Sequence, residues 1–106
     1  MIPIILSVRH LQSHRHKTRG LIGADPVYPV YFTTHFGIHT FGLLAPIDVV
    51  ILDKDLSVVT LKKNLPPDQL FFWNPRYHHV VELPSGTVAD RRIEVGSVLK
   101  FKFVTT

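Results

Sequence analysis

The chain has 106 residues, 45% hydrophobic and 19% charged, with no cysteine and a formal net charge of +4. That balance fits a single globular domain over residues 1–106 and excludes a disordered chain, in which too little apolar surface is buried to offset conformational entropy. The lack of cysteine excludes disulfides, thiolate metal sites and cysteine nucleophiles, and fits a reducing compartment.

In chain order, residues 2–8 read as a first strand rich in β-branched side chains, with Pro3 placing it at a sheet edge. The apolar start, residues 1–6, is too short for an export-signal core and has no basic region before it, so a cytoplasmic location is expected. Ser13 can cap a helix running to about residue 22, which Gly20 and Gly23 weaken or end. Arg15, Lys17 and Arg19 of that helix, with Arg9, His10, His14 and His16, all precede the first acid, Asp25. Such a segment can meet phosphates or an anionic surface, or simply be a solvated face. No aromatic side chains are interleaved for base stacking, so at most weak, non-specific nucleic-acid binding is expected.

Asp25-Pro26 opens a loop. Residues 28–36 and 38–41 are aromatic and β-branched around Gly37, giving two short strands or one strand bent at a bulge. Residues 47–52 form an unbroken apolar run apart from Asp48, as expected of a strand buried on both faces. Residues 53–56 make a turn and residues 57–62 return as an alternating strand, so this is a hairpin. Residues 64–76 hold three prolines and Phe71-Phe72-Trp73, which predicts a long loop clamped by a buried Trp73. Residues 79–83 are a strand stopped by Pro84. Thr87-x-x-Asp90 matches a capping box for a short helix ending near Arg92, and residues 98–104 are the last strand. The order predicts a mainly β (α+β) fold, a small barrel-like antiparallel or mixed sheet with two short helices. No run is long enough to span a membrane.

Residues 37–53, GIHTFGLLAPIDVVILD, followed by VVTLKKNLPP and VVELPSGT, resemble the domain of unknown function 192 (DUF192) family. Arg19 to Gly23, RGLIG, resembles that family's Arg-Gly-Leu-Met-Gly segment. Glu82-Leu83-Pro84-Ser85-Gly86 resembles its Glu-Leu-Pro-Ala-Gly turn, and Glu94-Val95-Gly96-Ser97 its Val-Gly-Asp close. The resemblance covers about residues 9–103 and implies a small, mostly β prokaryotic domain with no established activity. Two departures stand out. Gly42-Leu43-Leu44-Ala45 replaces a polar or basic segment before Pro46-Ile47-Asp48. Leu56 stands where the family has a turn glycine, and a positive φ there costs about 1 kcal/mol or more.

The chemistry-bearing residues each admit a functional and a structural reading. His35 and His39 have metal-pair spacing for a helix, but on a strand they lie about 13 Å apart. His78 and His79 are expected to point to opposite strand faces and not to act as a pair. Ser85-Gly86-Thr87 can offer amides to an anion or cap the helix that follows. Asp48 and Glu82 lie on apolar strands, where a carboxylate must find donors or change its protonation. They serve either a binding cleft or a structural pairing, for example Glu82 with Arg19.

The reading that follows is a non-enzymatic binding or accessory module holding a small ligand or peptide near His39, Thr40, Asp48 and Glu82. It has no cofactor, no metal site and no catalytic set. One alternative is a small hydrolase-type enzyme using Asp48 or Glu82 with His39. Another is a weak nucleic-acid binder working through the basic first helix.

Overall fold

The computed structural model describes residues 2–11, 28–35 and 37–104. The strands are β1 (Ile4–His10), β2 (Val30–Thr33), β3 (Gly37–His39), β4 (Ile47–Leu52), β5 (Val58–Leu65), β6 (Leu70–Phe72), β7 (His79–Pro84) and β8 (Leu99–Phe103). Helix α1 (Thr87–Asp90) lies between β7 and β8. The predicted first helix, including Arg19, lies outside the described residues.

Burial dictates the architecture. All six residues of β4 are buried, so this strand must be covered on both faces. It sits between β5 and β7 in a six-stranded sheet of order β5-β4-β7-β2-β1-β8. Side-chain alternation then divides the interior into two cores. Val50 and Leu52 of β4 pack with Val81 and Leu83 of β7, together with Leu6 and Val8 of β1. Ile47, Val49 and Ile51 face the other way, toward Val30 and Phe32 of β2 and Val80 of β7. The neighbours of β4 and β7 run antiparallel, whereas β1 runs parallel to both β2 and β8.

The sheet curls into a half-barrel. Its outer strands approach at one end, where Val58 N donates to Ser97 O at 2.8 Å and Leu99 N to Leu56 O at 2.9 Å. The turn that brings them there holds Leu56 at φ 63°, the strained conformation anticipated from the sequence. Asp53 supports it, its Oδ1 accepting from the amides of Asp55 (2.8 Å) and Ser57 (3.0 Å).

Three local expectations are corrected. Pro3 precedes β1 rather than marking an edge, and β1 pairs on both sides. Residues 64–76 are not all loop, because β6 lies within them and pairs antiparallel with β3. The aromatic triplet follows strand alternation: Phe71 and Trp73 pack against the second core, while Phe72 is 64% exposed. Trp73 Nε1 donates to Tyr77 O at 2.6 Å, which fixes the loop between β6 and β7. The capping box is also absent. Gly86, at φ 97°, is the cap residue, and the Thr87 hydroxyl donates to Pro84 O at 2.7 Å.

Candidate functional site

Asp48 is buried, and its carboxylate accepts three backbone amides. Oδ1 takes Asn64 N at 2.9 Å, and Oδ2 takes Gly86 N at 3.1 Å and Val88 N at 2.9 Å. The pairing of β4 with β5 slips at this point, from Ile47↔Leu65 to Val49↔Lys62. A bulge leaves a residue out of the ladder, and Asp48 receives the amide that the slip frees. The same side chain caps α1 from a distant strand. The Ser85-Gly86-Thr87 segment thus does offer amides to an anion, and that anion is Asp48.

Thr40 is likewise held by backbone. Its hydroxyl donates to Pro66 O at 2.7 Å and accepts from Gln69 N at 2.9 Å. His39 is half-buried, its ring stacked on Phe41 at 5.1 Å. Glu82 is fully buried on β7. Asp48 stands opposite Leu83, and Glu82 opposite Val49, so the two carboxylates emerge on opposite faces of the sheet. Asp48 therefore faces the first core and Glu82 the second, and the two do not meet in one pocket.

A different set of polar side chains does converge. The β4–β5 turn brings Asp53, Lys54 and Asp55 beside Arg76, Tyr77, His78 and His79 around a cleft of about 340 Å³. Sheet pairing causes this: β4 meets β7 with Leu52 opposite His79, so the residues just beyond Leu52 flank the start of β7. A second depression of about 260 Å³, lined by Phe71, Phe72 and Trp73, shares Tyr77 as a wall.

The imidazoles form a row. His78 and His79 have ring centroids 4.4 Å apart, and His35 lies 4.9 Å from His78. The expectation that His78 and His79 diverge fails because β7 begins at His79. His78 lies before the strand, where alternation does not apply. Tyr31 hydrogen-bonds His79 Nδ1 at 2.6 Å. His35 and His39, the spaced pair, take different places: His35 joins this row and His39 lies on β3. Among the described residues no three His, Asp or Glu side chains are placed to hold a metal ion.

Burial pushes the pKa of His79 below its ordinary value of 6.5, with His78 adding to the effect and Asp53 opposing it. Burial raises that of Tyr31, which keeps its hydroxyl available to donate. The folded state therefore favours neutral His79, and the unfolded chain binds more protons around and below pH 6.5. Stability from this group is full above that value and declines as pH falls through it. His79→Gln should flatten the change in urea midpoint between about pH 7.5 and 5.5. An undiminished change would assign the acid sensitivity to other groups.

The family model described as "Uncharacterized ACR", DUF192, matches residues 5–101, and the chain belongs to that family. A protein of unknown function from Novosphingobium aromaticivorans DSM 12444 has a similar structure, with a TM-score of 0.71 at 15% identity. The match covers 84% of this chain and 70% of that one. A protein from Sinorhizobium meliloti 1021, described as a candidate transcription regulator, matches with a TM-score of 0.68 at 20% identity. There the coverage is 84% and 76%. Both likenesses establish the fold. No curated protein matches at significance. Among the described residues, no helix is long and apolar enough to cross a membrane.

Proposed function

We propose that this DUF192-family chain is a non-enzymatic binding module, holding a small ligand or peptide end in the cleft between the β4–β5 turn and residues 76–79. The observation that carries the reading is the cleft itself. Its volume of about 340 Å³ falls within the usual range for small-molecule sites, about 300–1,000 Å³. Lys54, Asp55 and Arg76 are exposed at its rim. Asp48 and Thr40, by contrast, have their polar atoms engaged by backbone. The aromatic depression beyond Tyr77 offers an apolar extension, so a ligand with a polar head and a flat apolar body suits the pair of surfaces.

Indole and phenol are suitable neutral probes. In ¹⁵N–¹H spectra, each is expected to shift the amides of residues 53–55 and 77–79 in saturable fashion at millimolar concentration. Shifts clustered instead around His39, Thr40 and Glu82 would contradict this placement and return the site to the β3 side of the sheet.

A further inference from the structure

Among the described residues, the fixed charges lining the cleft cancel, which leaves its histidines to decide its sign. The β4–β5 turn contributes Asp53, Lys54 and Asp55, and the segment before β7 contributes Arg76. Two carboxylates against two permanent cations leave no net charge while the imidazoles are neutral. Each imidazole that gains a proton makes the cleft net positive.

The arrangement within the cleft favours an anion. Asp53 Oδ1 already accepts the amides of Asp55 and Ser57, which draws part of its charge into the turn. Arg76 is exposed, and its backbone is fixed by Arg76 N donating to Asn74 Oδ1 at 3.0 Å. A guanidinium offers a planar fork of donors that matches two oxygens of a carboxylate or a tetrahedral oxyanion. His78 lies between His35 and His79, in ring contact with both. An anion bound beside an imidazole favours its protonated form, and the coupling works both ways: whatever binds the protonated form more tightly also promotes protonation. Beyond His79 the row continues to Tyr31 and then His10, with ring centroids 5.9 and 5.2 Å apart. Tyr31 stays neutral throughout the imidazole range, since burial raises its pKa.

We propose, resting on the reading of this cleft as the binding site, that its ligand carries a small oxyanion group. Arg76, Lys54 and protonated His78 hold that group, and affinity rises as the pH falls. The class comprises carboxylates, sulfate and phosphate. Imidazoles titrate between about pH 5 and 8, so the cleft strengthens its hold over that range.

Sulfate is the probe of choice, because it remains a dianion throughout the imidazole range and any pH dependence then belongs to the protein. At constant ionic strength, its dissociation constant should fall roughly tenfold between about pH 7.5 and 5.5, as for one linked proton. Arg76→Ala should abolish binding at both values, and His78→Gln should reduce the pH dependence to less than about twofold. Lys62→Ala removes the same unit of charge from the exposed part of β5, away from the cleft lining, and should leave affinity unchanged. An equal loss from Lys62→Ala and Arg76→Ala would overturn the proposal, because it would trace attraction to overall charge. A pH-independent affinity, or no cleft shifts with sulfate at about pH 5.5, would also overturn it. In that last case, retained binding of indole at the cleft would leave the binding module standing and remove only the anion class.

Discussion

Replacing Asp48 by alanine is expected to lower the stability of the folded chain by about 3–5 kcal/mol, a large effect for one side chain. Three backbone amides lose their acceptor at once: Asn64 at the β5 bulge, and Gly86 and Val88 at the start of α1. Each buried donor left without a partner costs about 1–3 kcal/mol, and the partly exposed ones recover some of it from water. The damage also spreads, because Asp48 ties three parts of the chain together. Val88 is buried in the first core, so loosening α1 loosens packing against β7 and β1. Asp48→Asn keeps one acceptor oxygen but turns an amide group toward backbone donors, and should cost about 2 kcal/mol. Urea unfolding with an unchanged slope is the appropriate measurement. A loss below about 1 kcal/mol for Asp48→Ala would contradict the clasp.

The second large effect is expected at Gly37. Its φ is 152°, and a Cβ built there would meet Phe72 Cδ1 at 2.5 Å and the Phe71 carbonyl oxygen at 2.7 Å. Gly37 stands opposite Phe72 in the β3–β6 pair, so the ring lies where any side chain would go. Gly37→Ala should therefore cost about 2–4 kcal/mol, combining backbone strain with overpacking. Adding Phe72→Ala removes the flexible obstacle but not the carbonyl, so recovery should be partial. Full recovery would show that the ring alone excludes a side chain. Because the β3–β6 pair carries Phe71 toward Trp73, the single tryptophan should report the change as a red shift in emission.

Elements set by local pattern were legible in the sequence. The apolar run of β4 and its hairpin with β5 follow from adjacent residues, while the strain at Leu56 was expected from the family resemblance, which has a turn glycine there. The burial of Asp48 and Glu82 also follows from adjacent residues, since a carboxylate within an apolar strand has nowhere else to go. What local pattern could not supply was register between distant strands. Asp48 and Glu82 fall on opposite faces only because Asp48 pairs with Leu83, and nothing near either residue dictates that pairing. The histidine cleft was hidden for the same reason. His79 reaches the β4–β5 turn through its position opposite Leu52, and His35 reaches His78 because β2 also pairs with β7. The strand itself was placed correctly from residue 79, but alternation was extended to His78, which lies one residue before the strand and does not follow it. Short β6 was masked by the prolines around it, and it depends on Gly37 for its partner.

Separating the buried clasp from the cleft is the most direct test of this account. Indole affinity and unfolding midpoint should be measured on Asp48→Asn and on Tyr77→Ala, which removes the wall common to the cleft and the aromatic depression. The account predicts that Asp48→Asn lowers the midpoint and leaves the dissociation constant within about twofold. Tyr77→Ala should weaken indole by at least about fivefold, about 1 kcal/mol, as expected for losing an aromatic contact. Indole binding abolished by Asp48→Asn but untouched by Tyr77→Ala would place the site at the buried carboxylate and contradict the account.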